Sequence, residues 1–240
     1  MRHPTKAAAA EVKVAPAPAA PQNAAPKNAA PQAAAPQTTA PEAGKHRDII
    51  DGARRVFFDK GFDGASMDEI ARASQVSKAT IYVYFSSKEE LFQALVETDR
   101  RKSAERLFEF DPDDKDVESL LKRIGMTFMT MMVQPDHIRL MRMVIGAAEK
   151  FPAVGRTFFD AGPCHGGRRL ADLLGRQAEL GHLQVDDREM AAFQFFNLCQ
   201  GNLVKGLMFG TGQQPSPDEI AKTVDGAVRV FLAAYGVLRN

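Results

Sequence analysis

From Asp48 onward, apolar residues return at steps of three and four. Ile49, Ile50, Ala53, Val56, Phe57 and Phe58 share one face, which predicts a helix with Asp48 in its first turn. Lys60-Gly61 ends that helix, because glycine takes a left-handed cap without a steric penalty. Ser66 followed by Glu69 has the capping-box arrangement and opens a second, short helix that buries Met67, Ile70 and Ala71. Ser74-Gln75 interrupts the pattern, and Ser77 is placed to cap a third helix reaching about Tyr84. Ser86 or Ser87 caps a fourth, long helix that carries Leu91, Phe92, Leu95 and Val96. The second and third helices are separated by a turn of about four residues, the spacing of a helix-turn-helix.

The same period continues to the end of the chain. Val117 to Met132 carries Leu120, Leu121, Ile124, Phe128, Met131 and Met132 on helical steps. Pro135 opens a helix through Ala148, since proline suits a first turn. Pro152 restarts the chain for a long helical stretch toward Leu180, which Gly181 stops. Asp186 or Asp187 opens the next, from Glu189 to about Phe209, and Pro215-Ser216-Pro217-Asp218 precedes a last helix through Leu238. No run alternates as a strand would. The pattern predicts an all-α chain of about nine helices, without internal repeats. It divides into an N-terminal three-helix helix-turn-helix domain (45–90) and a larger C-terminal helical domain (91–240).

Composition changes this picture at the N-terminus. Residues 1–44 are dominated by Ala and Pro and contain no Leu, Ile, Phe or Tyr, so they cannot bury enough apolar surface to offset ordering, and disorder is expected. Pro16, Pro18 and Pro21 break the Ala-rich run, so it lacks the apolar segment of a signal peptide. No long uncharged apolar stretch suggests a membrane span, and the cytoplasm is the expected compartment. Net charge is +1, and residues 45–102 hold eleven Lys and Arg against ten Asp and Glu. Bulk charge therefore supplies little attraction to nucleic acid, and any DNA contact must come from local placement of cations.

That placement is found at 76–88, which has two Lys, two Tyr and no acid. Ala71, Val76, Ile81 and Phe85 point to a small core, leaving Ser77, Lys78, Thr80, Tyr82 and Tyr84 on or near the outer face. Gly61-Phe62, then Ser66-Met67-Asp68-Glu69-Ile70-Ala71, then Val76-Ser77-Lys78-Ala79-Thr80-Ile81-Tyr82, Tyr84-Phe85 and Ser87-Lys88-Glu89-Glu90-Leu91-Phe92 together resemble the TetR family of repressors. Gln75 stands where that family usually has Gly, and Ala79 where it has Gly or Pro. The resemblance implies double-stranded DNA with a palindromic operator as partner. It implies that Ser66 holds a phosphate at a helix N-terminus and that Lys78 reaches a guanine edge or a phosphate. Ala79 would lie close to bases and Tyr82 would face the groove. Thr80, Tyr84 and Lys88 would meet the DNA backbone, Ser77 is a further expected DNA-binding residue, and Lys45 and Arg47 would form a basic arm. The alternative for both tyrosines is that they cover the helix-turn-helix core.

The C-terminal part gathers Met126, Met129, Met131, Met132, Met141 and Met143 in two neighbouring helices. Methionine suits a wall that adapts to apolar ligands, although such residues are also ordinary core. With the pocket that the family resemblance implies, Met126, Met129, Met143, Phe158, Phe159 and Phe195 are the expected effector-pocket residues. Gly162-Pro163-Cys164-His165-Gly166-Gly167-Arg168-Arg169-Leu170 and Gly181-His182-Leu183-Gln184-Val185-Asp186-Asp187 resemble the AefR-like branch. Phe193, Phe196, Gln200, Val204 and Leu207 on one helix, with Val224, Ala227, Val228, Phe231 and Leu232 on the last, form either an intramolecular core or a homodimer interface. The resemblance favours the interface.

Cys164 and Cys199 have no zinc-site spacing and Cys164-His165 cannot complete a metal shell. No metal, cofactor or catalytic residue is expected, and Cys199 reads as an inert buried thiol. No nucleophile elbow, phosphate-binding loop or dinucleotide fingerprint points to an enzyme. The expected function is a repressor released from its operator by a small apolar or amphipathic effector. The alternative is a ligand-independent, nucleoid-type DNA-binding protein with a tightly packed C-terminal domain.

Overall fold

The structure is a computed structural model and describes residues 40–106 and 110–237. Up to residue 39, the stretch expected to be disordered lies outside those residues. The described chain is helical: α1 (Ala40–Gly64), α2 (Met67–Ser74), α3 (Lys78–Tyr84), α4 (Lys88–Arg106), α5 (Val117–Met132), α6 (Pro135–Ala148), α7 (Pro152–Phe159), α8 (His165–Glu179), α9 (Arg188–Gln200), α10 (Leu203–Phe209) and α11 (Pro217–Tyr235). Among the described residues no strand forms, and one isolated bridge pairs Leu183 with Gly236.

The caps read from the sequence are made. The Glu69 amide donates to Ser66 Oγ at 3.3 Å while Glu69 Oε2 accepts from the Ser66 amide at 3.2 Å, closing the box at α2. Ser77 caps α3 by accepting from the Thr80 amide at 3.0 Å, Ser87 accepts from the Glu90 amide at 3.1 Å, and Asp187 accepts from the Met190 amide at 2.9 Å. Ser216 repeats the capping box with Glu219 in front of Pro217. Each satisfies backbone groups that a helix start would otherwise leave orphaned.

Four boundaries differ from the pattern. α1 begins at Ala40, within the Ala/Pro-rich stretch. It is interrupted at Gly61, whose φ of 75° and ψ of 174° are accessible only without a side chain, so the turn predicted at Lys60-Gly61 is real although helix resumes to Gly64. The long stretch from Pro152 passes through a π-helical turn, Asp160–Cys164, because Pro163 cannot donate to the α-helical ladder. The helix predicted from Glu189 to Phe209 breaks at Gly201, φ 48°, into α9 and α10.

Two apolar cores result. One holds Ile49, Phe57, Ile70, Ile81, Leu91 and Phe92 from α1–α4 and continues into Leu140 and Val144 of α6 and Val154 of α7. The other holds Leu120, Ile124, Leu170, Phe195, Val224 and Phe231 from α5, α8, α9 and α11. Helices α4 and α6 run from the first core toward the second. Val204, Val224, Ala227, Val228 and Phe231 are therefore buried inside the protomer. Phe196 is buried with them, so most of the stripe offered as a dimer interface is intramolecular core, while Phe193, Gln200, Leu207 and Leu232 are half-buried.

Candidate functional site

The reading head is built on a close approach of α1 and α2. A methyl group at Gly52 would fall 2.0 Å from Ser74 Oγ, so only glycine lets these helices meet. Gln75 then turns the chain in the left-handed region, φ 56°, the one non-glycine residue at positive φ among those described. The turn sends α3 across the surface with Ile81 fully buried as its anchor. Ser77, Lys78, Ala79, Tyr82 and Val83 are left exposed, and Val83 is 80% accessible, an unusual exposure for a valine. Sequence reasoning missed Val83. Its signal was its position four residues after Ala79, on the same face.

Several predicted DNA ligands are already engaged. Lys78 pairs with Asp68 at 2.9 Å, which raises its pKa from the ordinary lysine value. Thr80 is half-buried, with its hydroxyl 2.8 Å from that of Ser77. Ser66 gives its amide and hydroxyl to Glu69, whose carboxyl is held down at about 2 by Lys60 first and then by Ser66. A carboxylate thus sits where the phosphate was expected, and Ser66 is a cap. Lys88 points inward, donating to the carbonyls of Phe62 at 2.8 Å and Ala65 at 3.1 Å with its ammonium 4.6 Å from the centre of the Phe62 ring. It closes the end of α1 and is not free for DNA. Tyr84 packs edge-on to His46, the covering role held open for it, and His46 also packs on Phe85. His46 between Lys45 and Arg47 thus ties the basic arm to the end of α3, while Lys45 and Arg47 remain exposed.

A cavity of about 350 Å³ lies in the C-terminal half. Its wall is Phe128, Met131 and Met132 of α5, Met141 of α6, Phe158 and Phe159 of α7, and Phe193 and Phe196 of α9. Gly162 and Pro163 of the π-turn also line it. Of the predicted pocket residues, Phe158 and Phe159 are in the wall. Met126 lines an adjoining, more open groove of about 900 Å³. Met129 and Phe195 are fully buried in the second core and Met143 packs against the first, so none of the three lines the cavity. The cluster was legible, but helix rotation by one or two positions decides which members face the cavity.

Ser103, Asn197 and Gln200 add neutral polar groups to this wall, and its charged group is Arg100, beside His137. Arg100 of α4, 4% exposed, donates from Nη1 to His137 Nδ1 at 2.7 Å and from Nη2 to Asp99 at 2.5 Å. Its guanidinium lies 5.2 Å from the centre of the Phe158 ring. Asp99 also accepts from Arg54 of α1, which reaches Asp136 of α6 at 3.5 Å. Burial pushes the His137 imidazole down to about 3, with the Arg100 charge acting in the same sense. His137 is therefore neutral. Sequence reasoning named none of Arg100, Asp99 and His137, since isolated charges on an amphipathic helix read as a solvated face.

The thiol of Cys199 is pushed up to about 12 by burial, in keeping with an inert side chain. Among the described residues no group of His, Cys, Asp or Glu is arranged to hold a metal ion, and no helix is long and apolar enough to cross a membrane.

Two sequence families match the chain. Bacterial regulatory proteins of the tetR family match residues 49–95, and the AefR-like transcriptional repressor C-terminal domain matches residues 119–237. The biofilm operon icaADBC HTH-type negative transcriptional regulator IcaR of Staphylococcus epidermidis is 39% identical over 49 residues, and that of Staphylococcus aureus strain Newman 40% over 48. These alignments cover 20% of the chain and 26% of each relative, so the likeness to IcaR is confined to the reading head. Solved structures match far more of the chain. A TetR-family transcriptional regulator from Mesorhizobium loti superposes with a TM-score of 0.75 at 28% identity over 81% of this chain and 98% of that one. The flavonoid-responsive regulator FrrA gives 0.69 at 28% identity over 82% and 100%. With both halves matched by family and by fold, the chain belongs to the TetR family of DNA-binding transcriptional regulators and is not an enzyme.

Proposed function

We propose that this protein is an effector-controlled, cytoplasmic repressor that binds a palindromic operator as a homodimer and leaves it when a small apolar or amphipathic molecule occupies the cavity. The observation that carries this reading is the double use of α4. Its first half buries Leu91, Phe92, Leu95 and Val96 in the core of the reading head, and its second half puts Arg100 and Ser103 in the cavity wall. Asp99, between them, is ion-paired to Arg54 on α1. A ligand that moves the second half of α4 moves the reading head with it. Release follows if the ligand binds the DNA-incompetent arrangement more tightly, since only differential affinity shifts such an equilibrium.

On DNA, Lys78 exchanges Asp68 for a phosphate or guanine edge, while Ala79, Tyr82 and Val83 enter the major groove. Ser77 and Thr80 meet the backbone beside them, and Lys45 and Arg47 reach the flanking phosphates. Two copies place their recognition helices about 34 Å apart, one helical turn of DNA. For the homodimer, the exposed face of α9–α11 replaces the buried stripe. Met190, Leu198, Phe209, Val230 and Val237 are all exposed there, and Gly226 and Ala233 lie on the same line of α11 as Val230. Exposed apolar side chains on these helices supply the surface that a second copy would cover. The negative regulation named for the IcaR relatives supports repression, and the flavonoid response named for FrrA supports a small aromatic effector. The ligand-independent, nucleoid-type reading predicts a filled C-terminal domain, and the cavity argues against it.

The test is purified protein on the DNA upstream of its own gene, with and without extract of the source cells. Salt-sensitive, sequence-preferring binding that extract relieves is expected; its absence sinks the reading. Tyr82→Ala should weaken specific binding about tenfold or more while leaving nonspecific binding nearly unchanged.

A further inference from the structure

Among the described residues, the buried side-chain polar atoms without a hydrogen-bond partner are Arg100 Nε and His137 Nε2. Buried polar groups are nearly always satisfied, so two orphans on adjacent side chains call for an explanation. Both residues line the cavity. Their chemistry is fixed by the bond between them. Arginine carries no acceptor, so the 2.7 Å contact makes His137 Nδ1 the acceptor and puts the single imidazole proton on Nε2. Arg100 Nε is likewise an N–H. The two orphans are therefore both donors.

What meets them must accept hydrogen bonds and must otherwise be apolar. Among the described residues the wall is mostly Phe and Met, with the neutral polar Ser103, Asn197 and Gln200, and no Asp or Glu lines the cavity. The Arg100 charge is held in place from outside it by Asp99 at 2.5 Å, so the guanidinium is a fixed cation at the cavity edge with one donor unused. The Arg100 stem is fixed too, since a methyl group at Gly162 would stand 3.2 Å from Arg100 Cδ. A neutral alcohol offers a single oxygen to both donors, whereas a carboxylate has two oxygens for two donors and adds charge assistance.

We propose that the effector of this protein is a small carboxylate with an apolar body, its head accepting from Arg100 Nε and His137 Nε2 and its body lying against Phe128, Met131, Phe158 and Phe193. This rests on the effector reading above and adds the chemical class of the ligand and the residues that select it.

Calorimetric titration of the full chain with naphthylacetate and with naphthylethanol, which share a ring and nearly a size, tests it without DNA. Naphthylacetate should bind about tenfold or more tightly, the margin expected of charge-assisted hydrogen bonds. His137→Asn keeps an acceptor for Arg100 and removes the Nε2 donor, and Arg100→Lys keeps the charge and removes the Nε donor. Each should cut the preference to about threefold or less, the acid losing more affinity than the alcohol. Equal affinity of the wild type for the two probes overturns the carboxylate assignment alone and leaves an effector cavity standing; it needs no variant to fold. A preference that survives in both folded variants also overturns the assignment, because the acid is then read elsewhere. Binding of neither probe at millimolar concentration overturns this proposal and counts against the effector reading with it.

Discussion

The reading head and the cavity half treat their polar groups in opposite ways. In the head, almost every polar side chain near a helix end closes a local bond: Ser66 with Glu69, Ser77 with Thr80, Lys88 with the end of α1. What it leaves open faces solvent, at Lys78, Ala79, Tyr82 and Val83. In the cavity half, α6, α7, α8 and α10 start without a side-chain cap, the wall is mostly apolar, and two donors are buried without partners. The head is a finished object that waits for DNA at its surface. The cavity half is unfinished in its interior, and an incomplete interior in a native fold is where function is stored. The contrast can be broken or sharpened at four places.

The largest effect is expected at Asp99, the carboxylate that joins the halves. Asp99→Ala leaves buried Arg100 without its carboxylate and Arg54 with Asp136 alone. Breaking a buried ion pair from one side costs about 3 kcal/mol, read as a lower unfolding midpoint in denaturant. If the loss is near zero, the halves are not joined here and the coupling runs through apolar packing alone.

Acid should expose the unfinished interior next. His137 titrates at about 3 when folded against an ordinary 6.5. Below pH 6.5 the unfolded chain takes a proton that the folded one refuses, so stability falls as pH falls, by at most about 1.4 kcal/mol per pH unit. The depressed pKa of Asp99 adds loss in the same direction, but only from below its ordinary value of 3.8. Between pH 6.5 and 4.5 the slope therefore carries the signature of His137, and His137→Asn should flatten it. An unchanged slope would mean that the imidazole is not buried neutral.

In the head, Lys88 separates a structural lysine from a DNA lysine. Lys88→Met should cost about 1 kcal/mol of stability, the scale of lost hydrogen bonds from a charged donor at a half-buried site. It should leave the salt dependence of DNA binding alone. Lys78→Met should do the reverse, lowering the salt slope by about one. If the slope falls with Lys88 as well, that lysine is shared between the fold and the phosphates.

The same contrast governs what could be read from the sequence. The head was legible because its signals are local. Ser66-x-x-Glu69, Ser77 before an apolar step and Gly61 at a helix end each fix one backbone event within four residues. The site on it was legible only in part, because Lys88 and Ser66 carry the right chemistry on the right helix but turn it inward. The cavity was legible as a cluster of Met and Phe and not as a list. Met129 and Met131 are two residues apart on one helix, yet one is core and one is wall, and only the packing of α5 against α9 and α11 decides it. Arg100 and His137 are 37 residues apart and meet only in the fold.

The smallest effect tests whether the head is finished at its turn. Gln75 holds φ 56° at the joint of α2 and α3, the cap from which its amide donates back toward Arg72 and Ala71. A side chain there costs about 1 kcal/mol against glycine, while glycine loses more entropy on folding. Gln75 is exposed and makes no side-chain bond that would offset the strain. Gln75→Gly should thus be neutral to stabilising, by up to about 0.5 kcal/mol, with α3 unchanged. Specific DNA affinity measured on the same variant then separates two accounts of the glutamine. Unchanged affinity makes Gln75 a tolerated strain; a loss beyond the stability change makes its exposed amide a DNA contact, and the turn becomes part of the reading surface.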